Sequence, residues 1–209
     1  MSSPTADMAR TGVRLALEGA WQSSDTAPIL GPIHLTVGRA ETVAITGPSG
    51  AGKTTLLRII AGLHAKFHGT VDLPGKVAMV FQEPLLLPWR SALDNMTLTT
   101  GCSPKAAGAM LGRVGLSGRE TDFPGQFSLG QQRRLALARA FLAEPSVLLM
   151  DEPFVSLDAA TADEMMTLFE TLRRAQPLAC LLVTHERGEA ARLADRTLVL
   201  SGQPAGLTA

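Results

Sequence analysis

The sequence predicts an α/β fold with an antiparallel β opening and an inserted, mostly helical subdomain, and three observations lead there. Continuous apolar runs at 77–81, 147–150, 178–183 and 198–200 have the character of strands buried on both faces of a parallel sheet. At Gly47 a strand runs into a Gly-rich turn, followed by Leu56, Leu57, Ile60 and Leu63, whose spacings of three and four fit one helix face. Between Phe81 and Pro145 no comparable strand run occurs. There Gly, Ser and Pro alternate with Ala/Leu/Arg-rich stretches, so a helical subdomain at about 83–143 is expected to interrupt the sheet domain.

The elements before Gly47 are short β-rich runs at 13–17, 33–37 and 42–46, with a Ser/Asp/Pro-rich loop at 22–28, and together they read as the antiparallel opening. Residues 1–10 are polar and read as a loose tail, leaving 11–209 as a single domain. A chain of 209 residues has room for one domain with a small subdomain. Its 45% hydrophobic and 18% charged residues are those of a packed domain. Nineteen Lys+Arg balance nineteen Asp+Glu, so no global basic footprint for nucleic acid exists, and none is expected as a partner. Cys102 and Cys180 are far apart, and Cys180 sits inside the apolar run 178–183, which reads as a buried thiol and fits a reducing cytosol. No stretch approaches the roughly 18 to 20 consecutive apolar residues of a membrane-spanning helix, and no secretory-signal layout is visible.

Gly47, Pro48, Ser49, Gly50, Ala51, Gly52, Lys53, Thr54 and Thr55 satisfy the phosphate-loop pattern of Gly, four residues, Gly, Lys, then Ser or Thr. Its glycines let backbone N–H groups converge on phosphate oxygens, and the helix N-terminus adds partial positive charge. Lys53 is positioned to reach the β and γ phosphates of ATP, and Thr54 to ligate Mg²⁺. The sheet core is thus expected to be of the P-loop NTPase kind; the alternative is a Gly-rich turn capping an ordinary βα unit. The run 147–150 ends on Asp151 and Glu152, at the carboxyl edge of the sheet where α/β proteins place ligands. Asp151 reads as holding the Mg²⁺ shell and Glu152 as orienting or deprotonating the attacking water. A solvated acidic pair is the plainer explanation for the two carboxylates alone.

Phe127, Ser128, Leu129, Gly130 and Gln131, followed by Gln132, Arg133, Arg134 and an Ala/Leu helix, resemble the signature of the ATP-binding cassette (ABC) ATPases, Leu-Ser-Gly-Gly-Gln. Phe127 and Leu129 depart from that pattern. Ser128 with Gln131 three residues on also forms a capping box, and the two readings are compatible, because a capped helix start is itself an anion site. The resemblance covers about residues 12–200, with further landmarks in the family's order. It implies that Gln82 is the Q-loop glutamine contacting Mg²⁺ and water, that Ser156 to Asp158 form the D-loop, and that His185 contacts the γ-phosphate. Trp21 stands where the family's adenine-stacking aromatic would be, although an amphipathic edge-strand Trp accounts for it nearly as well. His64 and His68, four apart, could share a helix face as metal ligands; a place beside the C-terminus of the phosphate-loop helix, near Gly62 and Gly69, is the favoured reading.

Residues 81–95, with Leu85, Leu86, Leu87 and Trp89, look like the Q-loop region of the bacterial nitrate, sulfonate and taurine importers. Their apolar cluster suits either a partner helix or packing inside the helical subdomain. The resemblance implies a Mg-ATP hydrolysing subunit that closes head to tail with a second copy of itself, so that Ser128, Gly130 and Gln131 act on the partner's nucleotide. It further implies separate transmembrane permease subunits, a periplasmic or extracellular solute-binding protein, and a place on the cytoplasmic face of the inner membrane. Lys53, Glu152 and His185 are the expected catalytic residues; Thr54, Gln82 and Asp151 the metal-binding ones. An efflux cassette is the nearest competitor. A stand-alone phosphate-loop kinase would not need Ser128 to Gln131 or His185, and a DNA-repair or translation cassette would carry insertions or basic surfaces that are not visible here.

Overall fold

The structure, a computed structural model, describes residues 11–21 and 27–208; the expected tail 1–10 and residues 22–26 of the predicted loop lie outside them. In chain order the strands are β1 (Thr11–Ala20), β2 (Ile33–Gly38), β3 (Thr42–Thr46), β4 (Phe67–Asp72), β5 (Val77–Val80), β6 (Val147–Asp151), β7 (Ala179–Val183), β8 (Arg196–Gly202) and β9 (Ala205–Thr208). The helices are α1 (Lys53–Ile60), α2 (Ala92–Thr100), α3 (Pro104–Arg113), α4 (Leu129–Leu142), α5 (Ala159–Ala175) and α6 (Arg187–Leu193). They form two compact units. One takes in the described residues up to 79, residues 146–152 and the described residues from 177; the other takes in 80–145 and 153–176.

In the first unit a three-stranded sheet has the order β2-β1-β4, antiparallel throughout, and a six-stranded sheet has the order β5-β6-β7-β3-β8-β9. The run 42–46, expected with the antiparallel opening, instead lies inside the larger sheet as β3, parallel to both β7 and β8. Its side chains explain the move: Val43, Ala44 and Ile45 are fully buried, as a central parallel strand requires. The third antiparallel place goes to β4, Phe-His-Gly-Thr-Val-Asp, a strand with only two apolar side chains, Phe67 and Val71, which pack partly buried against the core while β1 pairs its backbone. β6 and β7 are buried at every position, as continuous apolar runs predict. β5 and β8 are not: at one edge of the sheet and one strand in from the other, they each bury a single residue fully, Val80 and Leu200.

α1 sends Leu56, Leu57, Ile59 and Ile60 into the core formed with Val43, Ile45, Leu149 and Leu181. It stops short of the predicted Leu63. Gly62 adopts a left-handed conformation and donates to Ile59 O at 3.0 Å, while Leu63 N–H donates to Arg58 O at 2.7 Å, closing the helix and leaving Leu63 exposed.

The second unit is helical apart from Val80. Its helices start at Ser91, Ser103, Ser128 and Asp158, whose side chains each accept a first-turn N–H. α4 buries Leu135, Leu137, Ala138 and Phe141, and the Phe141 ring meets Phe169 of α5 edge-on at 6.2 Å.

Candidate functional site

In the first unit the loop between β3 and α1 closes tightly on itself. Gly47 has φ +142°, and a Cβ there would lie 2.1 Å from Leu200 O, so the turn admits no side chain. Lys53, nine-tenths buried, folds across the loop and donates from Nζ to the carbonyls of Gly47 and Pro48, each at 2.9 Å. Its ammonium is held inside the ring of backbone that would cradle phosphate oxygens. The next residue, Thr54, donates from Oγ1 to Asp151 Oδ1 at 3.1 Å. Burial at the end of β6 pushes the Asp151 carboxyl above its ordinary range, with Glu152 pushing the same way and the Thr54 hydroxyl, Arg58 and Lys53 opposing.

Glu152 follows with φ +46°, unusual for a side-chain-bearing residue, and its N–H is tied to Val183 O at 2.9 Å. That bend brings Glu152 Oε2 to 3.6 Å from His185 Nδ1, just past the end of β7. A cavity of ≈ 400 Å³ is lined by Ser49, Gly50, Gly52, Lys53, Thr54 and Thr55 together with Ile29, Arg58, His64 and Glu152. Lys53, Thr54, Asp151, Glu152 and His185 are thus gathered at one end of the sheet from three separate stretches of chain. Arg58 and His64 are cavity residues that the motif did not signal; Arg58 stands one helical turn past Thr54, which is the signal that could have found it.

Trp21 is not among the residues lining that cavity. Its ring meets His68 edge-on at 5.0 Å, a Cβ on Gly19 would come within 3.0 Å of it, and its carbonyl is 3.0 Å from His64 Nε2. A neighbouring cavity of ≈ 430 Å³ is lined by Trp21, Ala65, Lys66, Phe67 and His68. His64 and His68 share no helix face, because α1 has ended and His68 belongs to β4.

In the second unit, the expected capping box forms at α4. Ser128 Oγ accepts from Gln131 N–H at 3.3 Å, and Gln131 Oε1 accepts from Ser128 N–H at 3.0 Å. Leu129 is 42% exposed. Gly130 has no room for a side chain: a Cβ would sit 2.8 Å from Thr161 Cγ2, and Thr161 is itself held by Asp158. Hydrogen bonds from Thr161 hold the Asp158 carboxyl below its ordinary range.

Gln82 is exposed, and the segment that follows it is pinned by groups the sequence did not single out. Arg139 forks onto the carbonyls of Leu85 and Pro84 at 3.0 and 3.2 Å, and fully buried Asn95 bonds both N–H and C=O of Leu87. With its backbone gripped, the segment leaves Trp89 69% exposed and Leu85 exposed as well. The apolar cluster is thus divided: Leu85 and Trp89 are exposed, while Leu86 and Leu87 are partly buried.

The ABC transporter family model matches residues 30–155. Among curated proteins the chain is 48% identical over 197 residues to the aliphatic sulfonates import ATP-binding protein SsuB 1 of Rhodococcus jostii, covering 91% of this chain and 80% of the relative. It is 43% identical over 211 residues to SsuB 2 of Streptomyces avermitilis, an aliphatic sulfonates import ATP-binding protein, covering 99% and 84%. Among solved structures it resembles a dimeric ATP-binding cassette in a post-hydrolysis state bound to ADP and Pi, with a TM-score of 0.81 and 27% identity over 94% of this chain and 97% of that one. An inward-facing ABC transporter shares the fold, at a TM-score of 0.84 and 22% identity over 95% of this chain and 83% of that one. With the family model spanning more than half of the chain and such relatives along nearly all of it, this chain belongs to the ABC transporter family.

Proposed function

We propose that this chain is the ATP-binding and ATP-hydrolysing subunit of an ABC importer, working as a head-to-tail pair of identical copies under separate membrane permease subunits. The observation that carries it is the gathering of Lys53, the Thr54–Asp151 pair and the Glu152–His185 pair about a phosphate loop. Lys53 meets phosphate charge, Glu152 acts on the attacking water, and His185 holds the γ-phosphate and the water in line. Two oxygen donors 3.1 Å apart, Thr54 Oγ1 and nine-tenths-buried Asp151, suit Mg²⁺. Bound there, the ion would neutralise phosphate charge. Ser128, Gly130 and Gln131 serve the partner's nucleotide with the backbone N–H groups of a helix start, and Trp21 stacks on the adenine.

Import is favoured over efflux because the relatives along most of the chain are named for import, and their names supply the solute class proposed here, aliphatic sulfonates. Among the described residues no helix is long and apolar enough to cross a membrane. The chain is placed at the cytoplasmic face of the membrane, with exposed Leu85 and Trp89 offered to the permease and a solute-binding protein delivering cargo on the far side. The helical segment 83–143 acts as the subdomain that carries this contact.

Binding and hydrolysis measured separately test the assignment. Glu152→Gln is expected to abolish Mg-ATP turnover yet retain ATP, whereas Lys53→Ala weakens ATP binding itself; near-normal hydrolysis by Glu152→Gln removes Glu152 from the site.

A further inference from the structure

We infer that Glu189 is a positioning residue for hydrolysis, acting through Thr184 to hold His185 in place beside Glu152; this rests on the role proposed above for His185. Thr184 follows β7 directly and is fully buried. Its N–H donates to Ile45 O at 3.2 Å, tying the residue before His185 to β3. Its hydroxyl accepts the N–H of Glu186 at 3.0 Å, tying the residue after His185. The same hydroxyl donates its proton to Glu189 Oε2, on the first turn of α6. A glutamate at this place in a helix ordinarily reaches back to the N-cap N–H. Here the N–H of the N-cap residue, Glu186, is taken by Thr184, and the Glu189 carboxylate fixes the rotamer of the hydroxyl that takes it. The backbone on either side of His185 is therefore clamped, while the His185 ring stays half exposed, 3.6 Å from Glu152. The ring's other nitrogen, Nε2, lies 3.4 Å from Oε1 of Glu186, an exposed residue whose own N–H the Thr184 hydroxyl holds, so this contact too is placed by the clamp.

The test is Mg-ATP hydrolysis by the full chain, read as phosphate release, with ATP binding measured in parallel and the folded fraction checked by circular dichroism. Glu189→Ala and Thr184→Val are expected to lower kcat about tenfold while leaving KM for ATP within about twofold, since neither residue lines the cavity at the phosphate loop. Glu189→Gln, which keeps an acceptor, and Thr184→Ser, which keeps the hydroxyl, should restore the rate to within about threefold of the parent. In a His185→Ala background, adding Glu189→Ala should cost nothing further, because residues acting as one unit are not additive. Should Thr184→Val fail to fold, Glu189→Ala, at a half-buried position, carries the test. Parental hydrolysis by Glu189→Ala beside an impaired His185→Ala overturns the positioning role and leaves the function standing, as does a full additional loss in the double variant. Parental hydrolysis by His185→Ala overturns the role of His185, and the inference with it.

Discussion

At Gly47 the backbone of the phosphate loop leaves no freedom of substitution, whereas Gly50, three residues on, has open space around it. Both have positive φ, but only at Gly47 would a side chain strike backbone, at Leu200 O. Gly47→Ala should therefore cost about 3 kcal/mol or more and Gly50→Ala about 1 kcal/mol, the price of the left-handed conformation alone. Urea denaturation of the two variants checks the order; equal costs would show that the contact with Leu200 relaxes away. Glu189 supplies a pH dependence. Burial, aided by Glu186 and Glu152 and opposed by Thr184 and His185, raises its carboxyl above the ordinary 4.5. The folded state thus binds this proton more tightly than the unfolded one, so the contribution to stability is present below 4.5 and lost as pH rises through the raised value. Glu189→Gln should flatten that part of the profile. Urea midpoints across the acid range test it, and an unchanged slope would place the pH dependence elsewhere.

Among the elements, α4 carries the departure from the family signature at its first residue. Leu129 is 42% exposed, so Leu129→Gly gives up part of an apolar contact as well as helix propensity, together about 1 kcal/mol or more. Its ATPase rate per folded dimer should stay within a few-fold of the parent. A tenfold gain in turnover, about 1.4 kcal/mol, would mean that Leu129 weakens the signature as it stands. Gly130→Ala should behave differently. The new Cβ meets Thr161, whose hydroxyl is bonded to Asp158 Oδ2 at 2.7 Å and cannot turn aside freely. Overpacking of about 1–3 kcal/mol then outweighs the roughly 1 kcal/mol of propensity gained. Thermal melts of the two variants give the comparison, and a stabilised Gly130→Ala would show that α4 and α5 can separate at their first turns.

For the whole molecule, the proposed split of each site between two copies makes activity a property of assembly. The rate of ATP hydrolysis per chain should rise with protein concentration and saturate once dimers dominate. Dilution over a few hundredfold, followed by phosphate release, tests this. A rate per chain that stays constant throughout would mean that one copy suffices.

What the sequence determined by itself is what lies in contiguous stretches. The phosphate loop is legible because glycines, Lys53 and Thr54 act within one turn of chain, and Asp151 and Glu152 because an apolar run delivers them to a strand end. The start of α4 is legible because its cap is made by residues three apart. The tertiary structure decided what depends on distant partners. The run 42–46 became β3 of the parallel sheet because its neighbours are β7 and β8, and Thr42 N–H is held by Asp195 Oδ2, 153 residues away. β4 pairs with β1 and β9 with β8, and each carries only two apolar side chains of its own, Phe67 and Val71 or Ala205 and Leu207, too few to mark a strand. Trp21 meets His68 edge-on only because β1 and β4 pair across 47 positions of sequence. A local motif is specified by its covalent neighbours, whereas strand pairing is chosen by whichever distant groups folding brings within hydrogen-bond reach.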